Sequence, residues 1–545
     1  MIASAGLVRS VRAHGWPDGL ERFAWDLARE EAERLRLELG LRHTAWKVLL
    51  NAEARQTALV VERGYGSAAL SLATDFERVY VTVPDPHLAT VVAARAAWAS
   101  CRNLVFADAC SIEPDSLDAA VLYGLTEAEI TDELLDVLVR ALRPRADVYA
   151  AIPRSGGGNA LARLHRKLGR HFAYVHTYRY RTNGGLGGVY ELSSLAGASA
   201  GGLREAAARL TAPFRAPAFG ILASKTNEVD SVAGRVIAEA ERQLGAPIRP
   251  LRFLFSNPYG VALVAPPWII RVPLSAQAAD RNRTNYEALC ALRSLFPAGN
   301  TPDPVLMGSA CGQPFSVESV LEGRAAPPHL LEEASAWITR LHRTTAHGCE
   351  LNQAHLERLV ITPMKLARVT LSGDGEREIL ERLERYLVDA LLGERLNLVF
   401  SHGDYSLDNI LATVNADGVG GVFDWDISQA RGLPLLDLLY LFGTAERART
   451  GESIGRIFSR CILPMKWGAR PQAALKLYSQ ALEIPERLFP PLALMSWVHH
   501  VAVRTHNPEP YRTTRDATEV AGEAIAEIHE IVSHSLRALK RSGSG

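Results

Sequence analysis

Between Thr57 and Pro153 five short β-rich runs, TALVVE, VYVTV, NLVFAD, LDAAVLY and ADVYAAIP, alternate with Ala/Leu-rich helical stretches. Strands that alternate with helices predict a parallel sheet with helices on both faces, an α/β Rossmann-like architecture. Two later runs, HFAYVHTYRYR and PAFGILASK, read as strands and bracket the Gly/Ser-rich stretch SSLAGASAGG. After Lys225 the alternation stops. SVAGRVIAEAERQLG reads as a helix, LRFLFSN, GVALVAP and WIIRVPL as strands, NRTNYEALCALRSLF as a helix and SVESVLEGRAA as a strand entering a connector, and most of the rest is helical. Strands followed by helices form an α+β pattern, so a boundary is expected near 226–232, with 194–202 as the alternative.

At 545 residues the chain is too long for one compact core, and two or three domains are expected. Residues 1–40 form an N-terminal helical segment in this reading, with one amphipathic helix over Gly19–Gly40 in which Leu20, Phe23, Leu27 and Leu35 recur at helical spacing. An α/β domain then spans 41–228 and an α+β domain 229–540. The 60 basic residues balance the 60 acidic ones, which removes the bulk electrostatic case for nucleic acid or an anionic membrane. Six cysteines are scattered without a Cys-x-x-Cys pair, as suits a reducing cytoplasm. Apolar stretches such as ALVAPPWIIRVPL are broken by proline and charge before membrane-spanning length, so a cytoplasmic protein is expected, of undetermined oligomeric state.

The densest chemistry lies in LVFSHGDYSLDNILATVNADGVGGVFDWD. An apolar strand delivers His402-Gly403-Asp404, Asn409 follows five residues after Asp404, and a second strand is expected to present Asp424 and Asp426 on one face. Phosphoryl transfer needs a carboxylate to orient and deprotonate an acceptor hydroxyl, and oxygen ligands for magnesium. Asp404 suits the first role, Asn409 and Asp424 the second, and Asp426 is a further candidate on the metal side.

HGDYSLDN resembles the catalytic-loop motif of the aminoglycoside phosphotransferases and their macrolide, choline and fructosamine kinase relatives. FDWD with RGLPLLDL, which ends on Asp437, resembles their metal-binding strand and the stretch after it, and WITRLHRTT resembles their helix ending in Leu-His. The resemblance covers roughly 230–535. It implies a bilobal protein-kinase-like fold, with a smaller lobe at 229–322 and a larger one at 323–540, and ATP and Mg as cofactors. Such an enzyme needs a cation for the α/β-phosphates and a glutamate to hold that cation. No lysine occurs between Lys225 and Lys365, and Arg271 stands at the matching strand position, with Glu287 on the following helix. Arginine's planar fork can serve phosphate and carboxylate together. The phosphate-covering loop falls in FSNPYGV, at Ser256 and Asn257.

In the first half, VVERGYGSAALSL places Glu62, Gly64 and Gly66 where a strand turns into a helix, a position that lets backbone approach an anionic ligand. This resembles the first motif of class I S-adenosylmethionine-dependent methyltransferases, over about 41–225. The resemblance implies S-adenosylmethionine as a possible cofactor, with Asp108 in VFADAC near its adenine. Departures are visible: Val83 stands where a ribose-binding acid is usual, with Asp85 two residues on, and Pro144-Arg145-Ala146 replaces a Pro-Gly-Gly turn.

The leading expectation is an ATP- and Mg-dependent phosphotransferase acting on a hydroxyl of a small molecule, aminoglycoside-, sugar- or natural-product-like, fused to a methyltransferase-like domain. The alternatives are a tailoring enzyme in which methyl transfer is the main or a second activity, and a non-catalytic nucleotide-binding scaffold.

Overall fold

A computed structural model describes residues 4–16, 18–25, 42–51, 55–153, 160–182, 190–194, 218–226, 229–250, 252–257, 260–296, 300–370, 374–452 and 454–505. These divide into two compact units. The first holds the described residues up to Asn282 together with Val305–Val317, and the second holds Arg283–Pro304 and those from Glu318 onward.

The first unit begins with α1 (Ser4–His14) and α2 (Asp18–Trp25). The helix expected over 19–40 is seen only to Trp25, since 26–41 lie outside the described residues. Then follow β1 (Thr57–Glu62), α3 (Ser67–Leu72), β2 (Arg78–Thr82), α4 (Pro86–Trp98), β3 (Leu104–Phe106), β4 (Leu117–Tyr123), α5 (Asp132–Ala141), β5 (Leu142–Pro153), α6 (Ala160–His171), β6 (Tyr174–Thr182), β7 (Tyr190–Ser194) and β8 (Ala218–Ser224). Strands β3-β2-β1-β4-β5 pair in that order, all parallel, and β8 adds antiparallel to β5. The strand order reverses between β1 and β4, and the crevice beyond the carboxyl ends of the strands at such a reversal is where ligands bind in open α/β sheets.

The side chains of β1 show why this segment reads as an unbroken apolar run. Ala58 and Val60 pack with Trp46, Val79 and Tyr149, while Leu59 and Val61 pack with Leu122, Leu135 and Leu138. Successive strand residues point to opposite faces, so both faces must be covered and both must be apolar. Burial of Leu59, Val60 and Val61 contributes about 1.5–3 kcal/mol each.

The sheet does not stop at β8. After α7 (Val232–Leu244) come β9 (Arg252–Asn257), β10 (Gly260–Ala265) and β11 (Trp268–Pro273), then α8 (Ala276–Arg293), β12 (Pro304–Ala310) and β13 (Gln313–Ser319). β9 pairs antiparallel with β7 through Tyr190↔Phe255 and Leu192↔Phe253, which joins thirteen strands of the described residues in one sheet. The limit expected at 228/229 therefore falls within the first unit. Backbone hydrogen bonding across β7 and β9, which no local pattern announces, sets this continuity. Sequence reading also passed over β12, an edge strand whose weak alternation leaves Met307 38% exposed.

The second unit carries β14 (Arg324–Ala325), α9 (Leu331–Thr345), β15 (His347–Glu350), α10 (Asp374–Leu391), β16 (Arg395–Ser401), β17 (Ile410–Ala412), β18 (Val419–Val422), β19 (Gln429–Gly432), α11 (Leu436–Thr450), α12 (Ala469–Ala481) and α13 (Phe489–Thr505). Its strands form two small sheets, β14-β17-β18 and β15-β16-β19, among helices that share one apolar core. An aromatic column runs through that core: Phe296 stacks on Trp337 at 5.1 Å, Trp337 on Tyr405 at 6.0 Å, and Trp425 meets the His402 ring at 4.4 Å. Aromatic pairs add about 0.5–1.5 kcal/mol each beyond their burial, and this set lies beneath the His-Gly-Asp turn. No helix among the described residues is long and apolar enough to cross a membrane.

Candidate active site

Strand β16 is buried over Val399–Ser401 and ends by presenting His402, Gly403 and Asp404. Gly403 adopts φ +86°, and a Cβ there would lie 2.7 Å from the carbonyl oxygen of Ile427, so only glycine fits this turn. Asp437, at the start of α11, fixes the turn from below. Its Oδ2 accepts the His402 N–H at 2.7 Å and its Oδ1 accepts the Gly403 N–H at 2.8 Å. His342 Nε2 meets Asp437 Oδ2 at 3.1 Å, and His342 Nδ1 meets the Tyr478 hydroxyl at 2.6 Å. That hydroxyl also accepts the Leu435 N–H at 2.8 Å. Burial works against a charged Asp437, yet the bond and charge of His342, the His402 ring and the His402 N–H together hold its carboxyl below the ordinary value.

His402 itself is fully buried and serves the backbone. Its Nε2 lies 3.0 Å from the Phe423 carbonyl and its Nδ1 accepts the Asp404 N–H at 3.2 Å, which together call for the Nε2–H tautomer. The Asp404 carboxylate is then held from two sides. Asn409 Nδ2 donates to its Oδ2 at 3.1 Å and to its backbone carbonyl at 2.8 Å, and the Tyr440 phenol donates to the carboxylate. Burial pushes the Asp404 carboxyl up, and the charge of nearby Asp424 adds to this. The Tyr440 and Asn409 bonds and His402 oppose the rise without cancelling it.

Asp424 adopts φ +68°, a left-handed conformation rare outside glycine, and such strain persists where surrounding structure imposes it. The next residue shows how: Trp425 N–H donates to Asn285 Oδ1 at 3.0 Å, and Asn285 Nδ2 donates to Glu318 Oε2 at 2.8 Å. The strand expected to carry both aspartates ends at Val422, so the period-two argument that placed Asp424 and Asp426 on one face does not apply. The left-handed residue breaks the alternation, and both side chains are half-buried.

These residues suit magnesium. Asn409 spends its amide hydrogens on Asp404, which leaves its Oδ1 as an acceptor, and Asp424 supplies a carboxylate whose charge is felt at Asp404. Arg271 lies on β11 in the first unit, half-buried and opposite Ala262 of β10, while Glu287 lies on the exposed face of α8 in the second. The buried polar residues of that helix are Asn282 and Asn285. Ser256 and Asn257 end β9, and their side chains lie outside the described residues.

In the first unit, Glu62 ends β1 fully buried, and its carboxylate accepts Gly66 N–H at 2.9 Å and Ala69 N–H at 3.2 Å. It fills the amino end of α3 with the chain's own negative charge. Burial raises the Glu62 carboxyl despite these bonds and the charge of Arg95. Gly66 has φ +88°, and a Cβ there would meet Val92 Cγ1 at 2.9 Å. A Cβ on Gly64 would meet Glu62 Oε1 at 2.9 Å. Asp85 and Asp108 each cap the helix that follows, accepting His87 N–H at 2.8 Å and Cys110 N–H at 2.9 Å, and Asp108 is exposed.

Sequence reasoning missed Tyr440, Tyr478 and His499. Tyr440 lies three residues after Asp437 on one helical face, which is the signal that could have found it. Tyr478 carries no local signal. His500 is buried on α13, whereas its neighbour His499 Nε2 lies 3.3 Å from the Gly403 carbonyl.

Residues 248–460 match the phosphotransferase enzyme family. None of the curated proteins matches the sequence. Among solved structures, the aminoglycoside phosphotransferase APH(3'')-Id from Streptomyces rimosus, in complex with ADP and streptomycin, is similar at 16% identity over 44% of this chain and 90% of that one, with a TM-score of 0.32. The GDP and kanamycin complex of APH(2")-IIia is similar at 14% identity over 56% of this chain and 99% of that one, TM-score 0.35. A SAM-dependent methyltransferase from Aquifex aeolicus is similar at 13% identity over 36% of this chain and 98% of that one, TM-score 0.23.

Proposed function

We propose that the phosphotransferase-family region of this chain, residues 248–460, transfers the γ-phosphoryl group of ATP to a hydroxyl of a small molecule, with Asp404 as the base. One observation carries the assignment: the Asp404 carboxylate is aimed by Asn409 and Tyr440 from a turn that Asp437 and Gly403 hold rigid. The acceptor hydroxyl gives its proton to Asp404 as its oxygen bonds to the γ-phosphorus, and the bond from that phosphorus to the leaving ADP oxygen breaks. A base with a raised carboxyl keeps more driving force for this transfer near neutral pH. Asn409 Oδ1 and Asp424 would hold magnesium, which supplies positive charge to the phosphates when bound, with Asp426 nearby. Arg271, Glu287, Ser256 and Asn257 are the nucleotide-side candidates.

The test is ADP release by the full chain with Mg-ATP and a panel of small-molecule alcohols. Turnover that Asp404→Asn reduces by about 10²–10⁴ supports the assignment. Equal turnover by the variant would remove Asp404 from the role.

A second reading concerns the first unit, where the left-handed Gly66 turn at the carboxyl end of β1 lies beside the reversal of strand order. Backbone at that place could approach S-adenosylmethionine. Because Glu62 is enclosed by its own turn, it would position Gly64 and Gly66 rather than touch the ligand, and Asp108 would be the exposed acid of the site. Calorimetric titration with S-adenosylmethionine decides: no heat at millimolar ligand leaves this unit as architecture.

A further inference from the structure

The backbone on either side of Asp424 is pinned residue by residue. Val422 N–H donates to the Asn300 carbonyl at 2.9 Å and Phe423 N–H to the Asn409 carbonyl at 3.1 Å, while His402 Nε2 holds the Phe423 carbonyl at 3.0 Å. Beyond Asp424, Trp425 N–H donates to Asn285 Oδ1 at 3.0 Å, and the buried Trp425 indole donates to the Val422 carbonyl at 3.1 Å. Asp424 is thus a left-handed residue between two fixed neighbours, and the direction of its carboxylate follows from where they are held.

The bond to Trp425 comes from α8. That helix buries Asn282, Asn285, Ala288, Leu289 and Leu292, a stripe at helical spacing, and leaves Glu287 exposed. Glu287 stands two residues on from Asn285, about 200° round the helix, so the two cannot face inward together. The helix therefore turns an amide, and not a carboxylate, toward the Asp424 loop.

Glu318 decides which end of that amide meets Trp425. It is 2% exposed, and its Oε2 accepts from Asn285 Nδ2 at 2.8 Å. A carboxylate only accepts, so it takes the donor end of the amide and leaves Oδ1 for the Trp425 N–H. Asn285 is 1% exposed, and a shorter side chain there would strand the buried Trp425 N–H and free the Asp424 backbone to relax.

We propose that Asn285 is a positioning residue for the metal, fixing the Asp424 carboxylate through the Trp425 N–H, with Glu318 behind it setting the orientation of its amide. The assignment rests on the reading of Asp424 as a magnesium ligand and adds α8 to the groups that determine how tightly the ion is held. Residues that orient a metal ligand from behind change affinity for the ion by about 10–100-fold when removed.

The experiment titrates the full chain, in the presence of ADP, with Mn²⁺ as the probe for the magnesium site, and reads free Mn²⁺ by electron paramagnetic resonance. Asn285→Ala should weaken Mn²⁺ binding by about 10–100-fold, with ADP binding in the absence of divalent ion unchanged by calorimetry. Asn285→Ser, whose hydroxyl ends one bond short of the amide's reach, gives the same reading should the alanine variant not fold. Asn282→Ala is the matched control: it removes a buried amide from the same helix, bonded by the Ser316 hydroxyl at 2.7 Å, and should lower the melting temperature while leaving Mn²⁺ binding as in wild type. Asp424→Ala sets the scale of the full loss. Weak binding in Asp424→Ala with wild-type binding in both Asn285 variants overturns the positioning role and leaves Asp424 as a ligand. An equal loss in Asn282→Ala and Asn285→Ala also overturns it, since general loosening of the helix then accounts for the effect. Wild-type binding in Asp424→Ala, or no Mn²⁺ binding by wild type, overturns the ligand reading and the proposal with it.

Discussion

The carboxylate of Asp437 accepts the backbone N–H of His402 at 2.7 Å, across 35 positions of sequence, and takes that of Gly403 at 2.8 Å on its other oxygen. A buried acid is thus the anchor of the turn that carries Asp404. His342 and Tyr478 extend the network to α9 and α12, so three helices fix one turn.

Replacing Asp437 with alanine strands two buried N–H groups and one face of His342. The expected cost is about 3–5 kcal/mol, read as a fall in denaturation midpoint, with loss of turnover. Tyr478→Phe, which removes one hydroxyl from the network, should cost about 1–2 kcal/mol. Because the Asp437 carboxyl is held below its ordinary 3.8, its stabilisation is full above that value and disappears as pH falls through the lower folded value. Acid unfolding of Asp437→Asn should therefore depend less steeply on pH than that of wild type.

Asp404 has the opposite sign. Its carboxyl is raised above 3.8, so the folded state favours the protonated form, and this contribution is lost as pH rises through the folded value. Asp404→Asn should consequently melt higher than wild type at pH 7 while turnover falls by about 10²–10⁴. A lower melting temperature would count against a strained base.

Asn409→Asp replaces a donor to Asp404 with a second negative charge. The acid limb of the pH–rate profile should move to higher pH, since like charge raises the Asp404 carboxyl further. An unmoved limb would mean that another group titrates.

Asp424→Ala should remove the part of the Mg-ATP thermal shift that depends on magnesium, leaving any shift from nucleotide alone. Stabilisation by a ligand follows its concentration over its Kd, about 2.7 kcal/mol at a hundred-fold excess, so the loss is measurable by titration. A magnesium-dependent shift retained in full would assign the ion to other residues.

In the first unit, Gly66→Ala forces a Cβ into Val92 at a positive φ. A destabilisation of about 1–3 kcal/mol is expected, without change in ADP release, since none of the residues proposed for phosphotransfer lies at this turn. Fast alcohol-dependent ADP release in a variant of lowered melting temperature would meet that expectation.

The sequence by itself determined what is local. The five apolar runs from Thr57 to Pro153 became parallel strands; those of β1, β4 and β5 were legible because a strand buried on both faces has to be apolar, whereas β3, at the sheet edge, leaves Val105 and Phe106 exposed. The His-Gly-Asp turn and Asn409 were legible because they follow one strand within a few residues. Tertiary structure decided the rest. It joined β7 to β9 and so carried the sheet past the expected boundary, turned Asp424 out of the strand, enclosed Glu62 in its own turn, and brought Tyr478 within bonding distance of His342, 136 positions away. Hydrogen bonding and burial are satisfied in space, between segments whose order along the chain says little about their contact, whereas periodicity and short motifs are satisfied along the chain itself.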